Sequence, residues 1–240
     1  MRRMPLVMVG LLIAAPWLAG CGGMGTEAPG RGRDTMADSP AWPPTARYMP
    51  LAVGNNWRLK VTEYQQPGAL SALFSDLGRP ALLATRAQTT HSEIHEITGT
   101  TVIDETTWFV DEVTIGGQPL PDPAYLRHNA KGLLLKLRRR ARPSYQLKTP
   151  LAVGNTWTTP GQGSTLQIVA VGQMVTVPAG KLRGCIAVAE TGTGGDTFTR
   201  WWARGVGPAK GELRSGDDLL VVWELAAYHL ETGACGSLPR

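Results

Sequence analysis

The sharpest chemical pattern in the sequence is His91-Ser92-Glu93-Ile94-His95, two imidazoles and a carboxylate at alternate positions. On a strand such side chains share one face, so His91, Glu93 and His95 would form a two-histidine, one-carboxylate edge suited to a divalent metal. The same triple also arises on an ordinary solvated strand face, here beside Thr90 and Ser92. The sequence is therefore read as needing no cofactor, with a metal-dependent enzyme kept as an alternative. Nucleophilic hydrolysis has no support: there is no Gly-x-Ser-x-Gly elbow, and His128 and His229 have no companion motif. Gly192 to Gly195 lacks the following lysine and helix of a phosphate loop. No catalytic residue is assigned, and the chain is expected not to be an enzyme.

Tryptophan is the second chemical resource. Trp57, Trp157, Trp201 and Trp202 are candidate ligand-binding residues, because closed β folds often enclose an apolar or amphiphilic ligand. Core packing explains them equally well. Trp201 and Trp202 are adjacent, so on a strand one of them points away from the core. The basic run Lys136, Arg138, Arg139, Arg140 and Arg142 suits anionic headgroups or phosphate, or else a solvated strand end whose cations blunt edge pairing.

The three cysteines divide by position. Cys21 follows Met1-Arg2-Arg3, an apolar run from Leu6 to Ala15, and Leu18-Ala19-Gly20. The apolar run is too short and too interrupted by Pro5, Gly10 and Pro16 for a permanent span, and has the length of a secretory signal. Leu18-Ala19-Gly20-Cys21 resembles the lipobox of bacterial lipoproteins, in which the cysteine thiol receives diacylglycerol. The resemblance implies a mature chain anchored by two or three acyl chains at Cys21, a stable attachment. Gly22, rather than aspartate, at the second mature position implies outer-membrane sorting, with the protein facing the periplasm. Cys185 and Cys235 remain as an even pair in an oxidising compartment, a candidate disulfide closing a loop of about 50 residues, with two free thiols the alternative.

The elements that would position these residues follow from punctuation and periodicity. Residues 1–20 are read as the signal peptide, 21–47 as the lipidated cysteine and a Gly/Pro-rich linker with a reach of roughly 30 Å, and 48–240 as one β-rich domain. The formal charge of +5 falls to about +3 without Arg2 and Arg3, too weak and dispersed for a nucleic-acid partner.

One segment occurs twice. Pro50-Leu51-Ala52-Val53-Gly54-Asn55-Asn56-Trp57 recurs one hundred residues later as Pro150-Leu151-Ala152-Val153-Gly154-Asn155-Thr156-Trp157. Each copy predicts a Gly-Asn turn and then a strand opened by tryptophan, giving two quasi-equivalent halves around one core. Further strands are predicted over 108–115, 166–171, 174–177, 184–190, 197–203 and 219–230, with helical spacing only over 69–87. The expected fold is an all-β antiparallel sheet that curls or closes into a barrel-like domain, with one short helix over it.

The repeat, the turn Val177-Pro178-Ala179-Gly180, Cys185 and Trp201-Trp202-Ala203-Arg204-Gly205-Val206-Gly207 together resemble a group of bacterial secreted proteins and lipoproteins of unassigned function. The match covers roughly residues 48 to 230. It departs at Trp202, where tyrosine is commoner, and at Pro208-Ala209. The resemblance implies an all-β envelope domain and supplies no catalytic residues. The combined expectation is a membrane-anchored envelope lipoprotein with a binding or scaffolding role, partnered by the membrane and by an envelope protein or amphiphilic ligand. A carrier of lipid or another amphiphile is the first alternative.

Overall fold

The computed structural model describes residues 43–64, 88–160, 163–192 and 194–231. The expected helix over 69–87, together with Cys21 and Cys235, lies outside them. The described residues contain thirteen strands and no α-helix. Alternation explains the first strand, β1 (Asn56–Tyr64): Trp57, Leu59 and Val61 are buried while Arg58 and Lys60 are exposed. It continues the first repeat copy and begins a meander through β2 (Gln88–Ile103), β3 (Thr106–Ile115), β5 (Ala124–Asn129), β6 (Gly132–Lys136) and β7 (Ser144–Lys148), with the short β4 (Gln118–Pro119) beside β3. The second copy leads into β8 (Thr156–Thr158), β9 (Thr165–Val177), β10 (Gly180–Thr191), β11 (Asp196–Ala203), β12 (Gly207–Ser215) and β13 (Asp218–His229).

All pairings are antiparallel, and the strand order is β7-β6-β5-β3-β2-β1-β13-β12-β11-β10-β9-β8. Two six-strand meanders therefore meet where the first strand of one half pairs with the last strand of the other. That joint is β1 on β13, from Asn56↔His229 to Glu63↔Val221. The equivalent joint would pair β8 with β7, the two ends of the path. Here Trp157 Nε1 on β8 donates to the Tyr145 carbonyl on β7 at 2.8 Å, and Asn155 Nδ2 to the Lys148 carbonyl at 2.9 Å. The sheet curls until its edges are stitched by side chains, which covers edges that would otherwise offer unpaired backbone. The expected curled, two-halved, all-β architecture is what the chain adopts.

The apolar part of the interior is one cluster, built from Trp57, Leu59, Ile97, Leu133, Leu147, Leu166, Ile168, Ile186, Val188 and Leu225 among others. A smaller cluster of Ile103, Trp108, Tyr125 and Leu134 lies apart from it. Gly172, expected as a break between two strands, instead sits at φ +78° within one long β9. Register shifts in the β9–β10 pair re-aim this hairpin, and its Val177-Pro178-Ala179-Gly180 turn reaches β13, where Ala179 N–H donates to the Leu225 carbonyl at 2.9 Å. Residues Pro44–Arg47, expected within the linker, form a 3-10 turn instead. It is held by His128, whose Nε2–H donates to the Met49 carbonyl at 2.8 Å while Nδ1 accepts from the Thr45 hydroxyl at 3.1 Å.

Candidate functional site

Three of the four candidate tryptophans belong to the core rather than to a ligand surface. Trp57 is fully buried, with Nε1 donating to the Val206 carbonyl at 2.6 Å, and Gly207 lies so close that a Cβ would stand 2.6 Å from the same nitrogen. Trp157 is buried behind its bond to Tyr145, and Trp202 is buried in the same cluster. The physical reason is shared: each large ring fills the end or seam of a curled sheet, where packing density is made.

Trp201, its strand neighbour, points the other way. It lines an open cleft of about 320 Å³ with Gln173, Met174, Val175 and Thr176 of β9 and Lys210 of β12. Gln173 Oε1 accepts from Trp201 Nε1 at 2.9 Å, and Lys210 Nζ lies 5.5 Å from the ring centroid. Met174 is 61% exposed.

His91, Glu93 and His95 do share one face of β2, pairing with Val61, Leu59 and Trp57 of β1. They do not present a metal edge. His95 donates from Nε2 to Glu93 Oε1 at 2.8 Å and from Nδ1 to Asp111 Oδ2 on β3 at 3.0 Å. A metal-binding imidazole offers a lone pair from a neutral ring, whereas this ring keeps both protons. Burial works against that charge, but Asp111 and then Glu93 overcome it and push the His95 pKa up to about 10. Glu93 is held below the usual carboxylate range: burial opposes its charge, and His95 and the Trp223 indole outweigh the burial. His91 stands separately, its Nδ1 3.9 Å from Glu63 Oε1. Among the described residues no group of three or more histidine, cysteine or acidic side chains is arranged to hold a metal.

The sequence did not point to the partners of this cluster. Trp223 on β13 reaches across β1 to donate from Nε1 to Glu93 Oε2 at 3.0 Å. The Trp223 ring packs at 5.2 Å on Phe198, and Gly211 leaves room for both rings, since a Cβ there would lie 3.1 Å from Phe198. The Arg200 guanidinium lies 4.9 Å from the Phe198 ring. Its Nη2 donates to Glu190 Oε2 on β10 at 2.5 Å and its Nη1 to Gln146 on β7, while Ser164 donates to the other oxygen of Glu190 at 2.8 Å. A chain of polar and aromatic contacts thus runs from Asp111 to Ser164, linking strands of both halves. Each charged group in it faces an opposite charge, while Asp111 Oδ1 and Arg200 Nε are buried without a hydrogen-bond partner among the described residues. Residues as far apart as 130 positions carry no sequence signal of such contacts beyond the type of each side chain.

Cys185 is fully buried and a free thiol among the described residues, with Sγ 3.5 Å from the Leu182 carbonyl. Burial raises the pKa of this thiol, and its candidate disulfide partner Cys235 lies outside the described residues.

No family model matches the chain, and no curated protein sequence matches it. Two solved structures superpose on it in part. One is a protein assigned as exported, with a YmcC-like fold, from Bacteroides fragilis NCTC 9343: 10% identity over 75% of this chain and 97% of that one, TM-score 0.46. The other is a protein assigned as a lipoprotein from Parabacteroides distasonis ATCC 8503: 10% identity over 74% and 96%, TM-score 0.42.

Proposed function

We propose that this chain is a lipid-anchored protein of a bacterial cell envelope whose barrel has a non-enzymatic binding or scaffolding role. The address rests on the signal-like run and Leu18-Ala19-Gly20-Cys21, and Gly22 favours the outer membrane with the barrel facing the periplasm. For the barrel, one observation carries the reading. Its interior charges are occupied by one another, whereas Trp201, Met174, Thr176 and Lys210 turn outward around an open cleft. A ligand there would meet the Trp201 ring and Met174 beside the hydrogen-bonding groups of Gln173, Thr176 and Lys210. The same lining disfavours a carrier role, because an acyl chain in this shallow cleft would lie against Gln173, Thr176 and Lys210.

Two experiments test this. The Cys21→Ser chain should move from the membrane to the soluble fraction on cell fractionation, and continued processing and membrane retention would remove the anchor. Native mass spectrometry of the purified mature protein after incubation with envelope extract should show a bound species that Trp201→Ala loses and Trp157→Phe keeps. Loss from both variants or from neither would separate binding from this cleft.

A further inference from the structure

One surface is formed by other strands than those of the cleft. The β2–β3 turn and the β6–β7 loop stand side by side, joined where Arg139 Nη2 donates to the Val102 carbonyl at 3.0 Å. Beneath them is the small cluster of Ile103, Trp108, Tyr125 and Leu134, with Arg127 and Lys136 each 5.4 Å from the centroid of the Trp108 ring. This base is rigid. Lys136 is itself 5% exposed and bonded to Asp104 at 3.2 Å.

Above the base, two aliphatic side chains face solvent: Val102 is 58% exposed and Leu137 59%. Arg138, Arg139, Arg140 and Arg142 follow Leu137 in sequence, and all four are exposed. The carboxylates nearby are Asp104, Glu105 and Asp122. Asp104 is paired with Lys136, and Asp122 lies 3.8 Å from Arg138. Arg140 and Arg142 add positive charge beyond those pairs.

We infer that this tip docks on an anionic bilayer surface. Two exposed aliphatic side chains on a packed base, beside a run of arginines, match the two components of interfacial binding: shallow burial of apolar side chains and attraction to negative headgroups. Neither component alone accounts for the surface, since a solvated strand end needs no exposed Leu137 and Val102, and a scattered aliphatic needs no arginines. A tip of this kind would set which face of the barrel lies against the lipid, and the sequence-derived linker reach of roughly 30 Å is long enough to permit it. The inference does not depend on the cleft at Trp201.

The test uses the full mature chain carrying Cys21→Ser, so that no acyl group contributes. Sedimentation with vesicles of phosphatidylcholine containing about one third phosphatidylglycerol should retain the protein, and pure phosphatidylcholine should not. Arg140→Glu with Arg142→Glu should weaken that retention by about a hundredfold, at about fivefold for each positive charge removed and more for its reversal. Leu137→Ser should weaken it about threefold to tenfold. All these positions are exposed, so thermal unfolding should be unchanged and a folding defect is distinguishable. Equal retention by both vesicle types, insensitivity to the arginine reversals, or complete competition by inorganic phosphate at constant ionic strength would overturn the proposal; the last outcome would assign an anion pocket instead of a surface.

Discussion

The two joints between the halves begin from one turn and end differently. In the first copy, Gly54 lies at φ +96°, its N–H donates to the Ile97 carbonyl at 2.8 Å, and Asn55 Nδ2 caps the Pro50 carbonyl at 2.9 Å. In the second, Gly154 lies at φ +90°, its N–H donates to the Ile168 carbonyl at 2.9 Å, and Asn155 Nδ2 caps the Pro150 carbonyl at 2.9 Å. The strands that follow diverge. β1 runs nine residues and pairs with β13, whereas β8 runs three and is followed by Thr159 and Pro160. Proline has no N–H to give a ladder, so strand pairing stops where it stands. The repeat therefore specifies the turn and the tryptophan plug. The residues after it decide whether the joint becomes a ladder or a side-chain stitch.

The largest effect should separate the two plugs. Trp57→Ala should destabilise by about 4–5 kcal/mol, near the top of the range for a buried tryptophan, because it empties the core beside Gly207 and leaves the Val206 carbonyl without its donor. Trp157→Ala should cost about 3 kcal/mol, since that ring, though buried, lies at the stitched seam, where the loosened edges can close on the cavity. Equilibrium denaturation of both variants gives the order. If Trp57→Ala does not fold, Trp57→Phe keeps most of the volume and reads the indole bond alone. A larger loss at Trp157 would make the stitched seam the main support of the barrel.

Next comes pH. The cluster across the laddered joint contains His95, while Arg200, Glu190, Gln146 and Ser164 at the stitched side include no histidine. His95 has a folded pKa raised from 6.5 to about 10, so its contribution is complete below 6.5 and lost as pH rises toward 10. His128 has the opposite sign. Burial depresses its pKa from 6.5 to about 4, so its contribution is present above 6.5 and lost as pH falls toward 4. Glu93, also depressed, adds to the acid loss below its ordinary 4.5. Unfolding free energy measured from pH 6 to 10 should fall by about 2–3 kcal/mol, with allowance for screening at the part-exposed His95. His95→Gln should flatten that limb while leaving the acid limb in place. An alkaline limb unchanged by His95→Gln would mean that the clamp is not charged.

The capping asparagines give a smaller contrast. Asn55 is buried and its Oδ1 also accepts from Glu231 N–H at 2.7 Å, whereas Asn155 is less buried and its second bond goes to Lys148. Asn55→Ala should cost about 2 kcal/mol and Asn155→Ala about 1 kcal/mol, measured by chemical denaturation. Similar losses would show that the turn bond to proline, common to both, carries the whole effect.

What was legible in the sequence follows this division between local and distant causes. Seven shared residues gave two turns with the same Gly-Asn hydrogen bonds, and the alternation of Trp57, Leu59 and Val61 gave β1 and its buried face, because both are set within a few residues. Gly172 misled for a physical reason: glycine marks turns, yet the same positive φ also serves a bulge inside a continuous strand. The histidine triple shares one strand face as expected, but its chemistry stayed open between a solvated face and a metal edge, since Asp111 and Trp223 reach it only through strand pairings that periodicity does not determine. Tryptophan count could not separate packing from a cleft. Adjacency could, in one case: Trp201 and Trp202 had to take opposite faces, and they do.

The finest test of the comparison lies in the paired glycines. Both hold a left-handed conformation that an L side chain adopts at a cost of about 1–2 kcal/mol, so Gly54→Ala and Gly154→Ala should share that loss. They differ in what surrounds them. A Cβ at Gly154 would meet nothing within 4 Å, whereas one at Gly54 would stand 2.8 Å from Glu231 Cγ. Glu231 is anchored through its N–H to Asn55, but its side chain can swing, so the added cost at Gly54 should stay near about 0.5 kcal/mol. Thermal melts of Gly54→Ala, Gly154→Ala and the double variant Gly54→Ala with Glu231→Ala read that difference directly. If truncating Glu231 brings Gly54→Ala level with Gly154→Ala, the two turns are energetically one device in two surroundings. If a gap persists, the backbone of the first turn is itself more tightly held, by the ladder that the second joint lacks.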